Sequence, residues 1–295
     1  MSAHTTFRVG GEADIFVEIK TSKELENVLA ALRSEGLTAL GSDFYLLGNG
    51  SNVLVSDSGI RGVVLHLSRA YSKIARSQKN PDSLVCEAGA TLAAIAARAC
   101  EWGLTGFEFA AGIPGSLGGA IVMNAGAYGG ELCQVVERVR LMAPDGTIVE
   151  KRAEEMQFSY RHSIVKKEPL IVLDAVITLA PGSRQEIREK MEDLAARRRE
   201  KQPLEYPSAG STFKRPQGYF AAKLIEDAGL RGLTVGGAQV SEKHCGFVVN
   251  RGNATADDIR RLIAEVQCRV MASAQVAIEP EVILLGFDKP QQKEF

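Results

Sequence analysis

The chain has 295 residues, 45% of them hydrophobic and 24% charged, with 35 basic and 36 acidic side chains for a net charge of -1. That length suits two or three domains and supports a full apolar core without disulfide or metal staples. The charge balance excludes a broad nucleic-acid or membrane surface, although a local basic pocket for an anionic ligand remains compatible with it. The five cysteines, Cys86, Cys100, Cys133, Cys245 and Cys268, are scattered with no CxxC pair. They indicate neither a zinc site nor a disulfide framework, but reduced and mostly buried thiols. Residues 1–11 lack the apolar run of a secretory signal, and no stretch is apolar for long enough to span a bilayer. The expectation is a soluble, cytoplasmic protein, with a monomer favoured.

In chain order, residues 14–19 have the character of a strand. Residues 22–34 carry Leu25, Val28, Leu29 and Leu32 at helical spacing, with Ser22 or Thr21 as N-cap and Gly36 as stop signal. Residues 44–47, 53–56 and 63–67 are three short strands, the last two separated by the 59–62 turn. A second segment begins near Tyr71, with a strand at 84–88 and an alanine-rich helix at 92–102 closed by Gly103. The most glycine-dense stretch, 106–130, follows. Residues 135–142 and 147–151 form a hairpin across Asp145-Gly146, and 170–179 is a long apolar strand. Pro181-Gly182 marks a boundary. The charged helix 184–201 comes next, ended by Pro203, and its Arg197-Arg198-Arg199 run is read as a solvated face. Helices at 220–228 and 256–272, strands at 247–250 and 281–285, and a frayed tail at 288–295 complete the chain. Strands alternating with helices and hairpins indicate an α+β protein built of α/β subdomains. The expected division is 1–69, 70–182 and 183–287, followed by the tail.

Two glycine-rich loops carry the chemistry. One is Gly48-Asn49-Gly50-Ser51-Asn52, and the other is Gly112-Ile113-Pro114-Gly115-Ser116-Leu117-Gly118-Gly119-Ala120. Glycine leaves backbone N–H groups uncovered, and successive N–H groups make a nest for an anion such as a pyrophosphate. Ser51, Asn52 and Ser116 add side-chain donors. Neither loop has the spacing of the dinucleotide or nucleoside-triphosphate fingerprints, and tight turns between strands are the plain alternative for either loop alone.

These loops, with Thr6-Phe7-Arg8-Val9-Gly10-Gly11-Glu12-Ala13, Asn124-Ala125-Gly126-Ala127-Tyr128-Gly129, Tyr160-Arg161-His162-Ser163, Gly210-Ser211-Thr212-Phe213-Lys214 and Glu279-Pro280-Glu281-Val282, resemble the UDP-N-acetylenolpyruvoylglucosamine reductase (MurB) family. The match runs in order along nearly the whole chain and looks like the shorter branch, without room for an extra tyrosine-bearing loop. The resemblance implies a vanillyl-alcohol-oxidase-type FAD-binding fold of two subdomains with a C-terminal substrate domain. It implies non-covalent FAD held by the two glycine loops, and NADPH and UDP-N-acetylglucosamine enolpyruvate as small-molecule substrates. No metal, nucleic acid or membrane insertion is expected.

It also implies three catalytic residues. Arg161 would fork onto the enolpyruvyl carboxylate, Glu281 would donate a hydrogen bond to it as charge grows, and Ser211 would protonate C2. Alone, each has a plainer reading: a surface ion pair, a structural carboxylate, a turn serine. Glu279, two residues from Glu281, is the competing carboxylate. Lys214, Arg215 and Lys223 are candidate ligands for the UDP phosphates, with solvated side chains as the alternative. His162 and His244 are read as structural. Two rivals stay open at this level: an oxidase of the same fold, and a non-catalytic binder of flavin or nucleotide sugar.

Overall fold

The computed structural model describes residues 1–67 and 69–287; the expected tail at 288–295 lies outside them. The chain forms two compact units. Unit 1 holds Met1–Asp14, Gly50–Arg61 and the chain from Lys201 onward; unit 2 holds Ile15–Asn49 and Gly62–Glu200. The helix expected at the head of a C-terminal domain from 183 therefore falls in unit 2, and the first residues of the chain group with the last.

The elements follow the patterns that define them. Strand β1 (Ala13–Ile19) leads into α1 (Ser22–Ser34), which buries Leu25, Leu29 and Leu32. Thr21, rather than Ser22, is the N-cap: its hydroxyl accepts from the Glu24 N–H at 3.1 Å. Strands β2 (Phe44–Leu47), β3 (Val53–Val55) and β4 (Ile60–Leu67) follow. β4 starts three residues before the expected strand and runs through Gly62, whose φ of +109° disguises the strand start as a turn. Then come β5 (Ile74–Arg76), a strand the sequence did not announce, β6 (Ser83–Glu87), α2 (Leu92–Glu101) and β7 (Leu104–Thr105). Helix α3 (Leu117–Met123) occupies the glycine-rich stretch, where an anion-binding loop was expected. Short strands β8 (Gly126–Ala127) and β9 (Gly130–Glu131) precede the hairpin of β10 (Val136–Met142) and β11 (Ile148–Arg152). Strands β12 (Ile171–Thr178) and β13 (Ala180–Pro181) lead to α4 (Arg184–Lys201). The remainder comprises α5 (Ala221–Asp227), β14 (Thr234–Val235), β15 (Ala238–Val240), β16 (Val248–Asn250), α6 (Ala256–Ala274) and β17 (Ile283–Leu285).

The spine of unit 2 is a five-stranded antiparallel sheet in the order β11-β10-β12-β6-β5. Its core joins Leu84 and Cys86 of β6 and Ile171, Leu173, Ala175 and Ile177 of β12 to Ile95 of α2 and Leu117 and Ile121 of α3. Burial pushes the Cys86 thiol up to about 12, so it is inert at neutral pH. A smaller sheet, β1-β4-β2, has β2 and β4 parallel.

In unit 1, α6 presents Ile259, Leu262, Ile263, Val266 and Val270 to its core, an i, i+3, i+4, i+7 stripe. It packs on the antiparallel sheet β14-β15-β16. β17 pairs in parallel with β3, joining residues more than two hundred positions apart in the chain. The Asp57 carboxylate accepts from the Ala256 and Asp257 N–H groups at 2.8 and 2.9 Å, satisfying otherwise orphaned donors at the α6 N-terminus.

Glu108 ties α4 to the segment that enters the second glycine loop. Its side chain, 2% exposed, accepts from Thr105 Oγ1 at 2.6 Å, from the Gly106 N–H at 3.1 Å, and from Lys190 at 3.1 Å. Burial pushes its carboxyl up, but these bonds outweigh burial and hold it below the usual range. Because the folded value is depressed, this stabilisation is present above the ordinary glutamate value and is lost as pH falls through the folded one. Glu108→Gln is expected to cost about 1–3 kcal/mol at neutral pH. In thermal melts the gap from the parent should narrow on acidification below about pH 4.

Candidate active site

The two glycine loops approach each other inside unit 2. Asn49 Nδ2 donates to the Pro114 carbonyl at 3.0 Å. The Gly48 Cα lies so near Ser116 that a β-carbon there would overlap Ser116 Oγ. The second loop is also sewn down behind. The Leu117 and Gly118 N–H groups each donate at 2.8 Å, to the Ala90 and Ala88 carbonyls beyond β6, and a Gly118 Cβ would sit 3.1 Å from that of Ala88. The expected nest is thus smaller than the sequence suggested, because the N–H groups of Ile113, Gly115, Leu117, Gly118 and Ala120 already donate to main-chain carbonyls and Pro114 has none. What fits a dinucleotide is the bare backbone left at Gly48, Gly112 and Gly119, where a β-carbon on Gly48 would meet Ser116 Oγ and one on Gly112 the Arg198 side chain. Gly48→Ala puts a methyl against Ser116 Oγ, which must turn aside, and covers the bare backbone where the resemblance places the cofactor. It is expected to weaken FAD about ten- to a hundredfold, read by flavin titration of the apoprotein.

The rest of the first loop belongs to unit 1. Thr6 N–H donates to the Gly50 carbonyl at 3.1 Å, which sets the N-terminal motif against it. Asn52, expected to present its amide to a phosphate, donates one N–H to the Glu281 carbonyl at 3.1 Å. Its own carbonyl accepts from Ile283 N–H at 3.0 Å.

That places Asn52 beside one of the expected catalytic residues, Glu281. Gly210 adopts φ +74° with open space where a side chain would be, so the position needs glycine for its conformation rather than for room. The exposed Ser211 follows, and then Thr212, which is fully buried. Thr212 N–H donates to the Gly246 carbonyl (2.8 Å), its Oγ1 accepts from Val248 N–H (2.9 Å), and its carbonyl accepts from Glu281 N–H (2.8 Å). Residues 212–214 run antiparallel to 279–281, with a bridge at Phe213 and Pro280. Ser211 and Glu281 are therefore neighbours on one rigid scaffold in unit 1, and Glu281 is half-buried. Glu279 is 72% exposed and bound to Lys214 at 2.8 Å; that hydrogen bond and charge hold its carboxyl below the usual range. A firmly ionised Glu279 is the poorer of the two as a hydrogen-bond donor.

Of the three cations expected at the substrate phosphates, Lys214 holds Glu279, and Lys223 pairs with Asp227 at 2.6 Å. Arg215 stacks on Phe220 with Cζ 4.0 Å from the ring centroid. The lysine pairs are partly or fully solvated, and such pairs are weak enough to exchange their carboxylate for a phosphate.

Arg161 lies in unit 2, at the corner of a tight hairpin. Ser159 and His162 exchange reciprocal backbone bonds at 3.1 Å, and Arg161 adopts φ +55°, an unusual conformation for a residue with a β-carbon. Its guanidinium lies over the Tyr160 ring at 4.8 Å. The His162 imidazole is held below its usual value by burial, with Lys167 and Lys166 adding to it, and His244 by burial; both fit neutral structural roles.

Sequence reasoning missed Arg198. It is not part of a solvated face: its Cδ lies 3.2 Å from where a Gly112 Cβ would be, and burial lowers its guanidinium. With Arg188, Tyr128, Phe109 and Met191 it lines a cavity of about 340 Å³ bordering Gly112. The signal was present, since Ile187, Met191, Leu194 and Arg198 share one helical stripe. Arg197, one residue away, pairs with Asp193 at the surface.

The FAD binding domain model matches residues 13–152, and the UDP-N-acetylenolpyruvoylglucosamine reductase C-terminal domain model matches 202–285. The reductase of that name from Caldanaerobacter subterraneus subsp. tengcongensis is 51% identical over 97% of this chain and 92% of its own. The chain belongs to the UDP-N-acetylenolpyruvoylglucosamine reductase family. The Clostridioides difficile reductase is 50% identical over 98% of this chain and 92% of its own. The crystal structure of the Thermus caldophilus UDP-N-acetylenolpyruvylglucosamine reductase superposes with a TM-score of 0.81 at 32% identity, covering 96% of each chain. The fold is thereby the vanillyl-alcohol-oxidase-like FAD fold with mixed helices and sheets, and FAD is the cofactor. Among the described residues, no cluster of His, Cys, Asp or Glu could hold a metal, and no helix is long and apolar enough to cross a membrane.

Proposed function

We propose that this chain reduces UDP-N-acetylglucosamine enolpyruvate to UDP-N-acetylmuramate with NADPH, a step of peptidoglycan precursor synthesis. The observation that carries this reading is the full-length relationship to reductases of that name, joined to a Gly210-Ser211-Thr212 corner bonded to Glu281. FAD, when bound, supplies the hydride chemistry between the two substrates.

The protein's own groups perform the remainder. Reduction at the terminal CH2 carbon leaves electron density on C2 and the carboxylate. Arg161 forks onto that carboxylate and lowers the energy of the charge as it develops. Glu281 adds a hydrogen bond to the same group. Ser211 delivers the proton to C2; a hydroxyl is a weak acid, but an enolate-like carbon is basic enough to take its proton. Gly48–Asn52 and Gly112–Ala120 hold the cofactor, and Lys214, Arg215 and Lys223 meet the nucleotide phosphates. A monomeric state and a cytoplasmic location belong to the same proposal; the substrates are soluble small molecules and the net charge is near zero.

The test is NADPH oxidation by the flavin-loaded protein with and without the enolpyruvyl sugar nucleotide. One NADPH consumed per substrate is expected. Consumption tied to oxygen instead would favour the oxidase reading.

A further inference from the structure

One short helix connects the cofactor loop to the Arg161 corner. At its start, Leu117 and Gly118 are sewn to Ala90 and Ala88. At its end stands Asn124, the α3 C-cap, fully buried and left-handed at φ +42°. The Asn124 side chain bonds on both of its ends. Its Nδ2 donates to the Ser159 carbonyl at 3.2 Å and to Glu131 Oε2 at 3.0 Å, and its Oδ1 accepts from Cys133 N–H at 2.9 Å. Ser159 opens the hairpin that carries Arg161. On the far side of that hairpin the fully buried Ser163 donates its hydroxyl to the Val122 carbonyl at 3.1 Å. Both flanks of the Arg161 corner thus hang from the last turn of α3.

A left-handed arginine does not hold its conformation by itself. Something rigid must fix the corner, and a fully buried asparagine bonded at both ends of its amide does so at a definite height. We propose that Asn124 is a positioning residue for Arg161, setting the guanidinium relative to the loop that begins α3, with Ser163 as the second tether. The proposal rests on the reading that Arg161 holds the enolpyruvyl carboxylate. Asn124 itself touches no reactant in this account.

Asn124→Gly separates the side chain from the backbone, because glycine keeps the left-handed cap while all three side-chain bonds are lost. In the flavin-loaded enzyme, flavin reduction by NADPH should stay within about twofold of the parent, while anaerobic reoxidation by the enolpyruvyl substrate slows about thirtyfold. The readout a general structural defect would not give is a double-mutant cycle. In an Arg161→Ala background, Asn124→Gly should slow reoxidation by no more than about a further twofold. Parental reoxidation in Asn124→Gly, or equal slowing with and without Arg161, overturns the inference while leaving the Arg161 reading intact. Parental reoxidation in Arg161→Ala alone overturns both. Should Asn124→Gly fail to retain flavin, the same cycle with Ser163→Ala decides, with about fivefold slowing expected only when Arg161 is present.

Discussion

Ser211→Ala is expected to leave flavin reduction by NADPH intact and to slow reduction of the enolpyruvyl group by about 10²–10⁴-fold, the usual contribution of a positioned proton donor. The geometry makes this a clean experiment. Ser211 is exposed, so the substitution should change stability by no more than about 0.5 kcal/mol. Its position is fixed by neighbours rather than by its own side chain. Gly210 turns the chain, and Thr212 holds it with bonds to Gly246, Val248 and Glu281. Rapid-mixing measurement of the two half-reactions should show normal bleaching and a stalled recovery. Ser211→Cys, which keeps an ionisable proton at the same place, should recover part of the loss. Parental recovery in Ser211→Ala would assign C2 protonation to another group.

Arg161→Lys should lower the rate of the second half-reaction by about 10²–10³-fold, the scale seen when a donor to developing negative charge is removed. Lysine keeps the charge but not the planar fork, and it loses the fixed direction given by stacking on Tyr160. The left-handed corner adds a second expectation. Arg161→Gly should be as inactive yet no less stable to heat, because glycine occupies φ +55° without a β-carbon. A variant that loses activity without losing stability marks a residue kept in a strained conformation for its chemistry.

Local periodicity told most of the elements. The stripe of α1 and the Asp145-Gly146 hairpin lie in the structure as their spacing suggests, because each is a local pattern read against one core. Helix α3 was hidden because its first turn carries Gly118 and Gly119, poor helix formers; packing against β6 and β12 overrides propensity there. The grouping of the N-terminus with the C-terminal unit was invisible for a different reason. It depends on pairings such as β17 with β3 and Asn250 Nδ2 with the Phe7 carbonyl at 3.1 Å, and nothing in a local window announces a partner two hundred residues away.

The site was legible to the same degree. Glycine loops announce a close approach of backbone, but which amides remain for a ligand depends on those already given to main-chain carbonyls, among them Ala88 and Ala90 just beyond β6. Spacing alone left Arg161 as a surface ion pair, Ser211 as a turn serine and Glu281 as a structural carboxylate; the family motif singled them out. The structure adds what the motif does not contain. Thr212 joins Ser211 to Glu281, Asn124 carries Arg161, and Arg198 leaves the solvated row to which charge patterning assigned it.

The most direct test of the whole account is anaerobic. The flavin-loaded protein is reduced with one equivalent of NADPH, freed of nucleotide, and mixed with UDP-N-acetylglucosamine enolpyruvate while flavin absorbance is followed. The account predicts full return of oxidised flavin without oxygen, with one UDP-N-acetylmuramate formed per flavin. Flavin that stays reduced until oxygen is admitted, with the enolpyruvyl ether recovered unchanged, would contradict it.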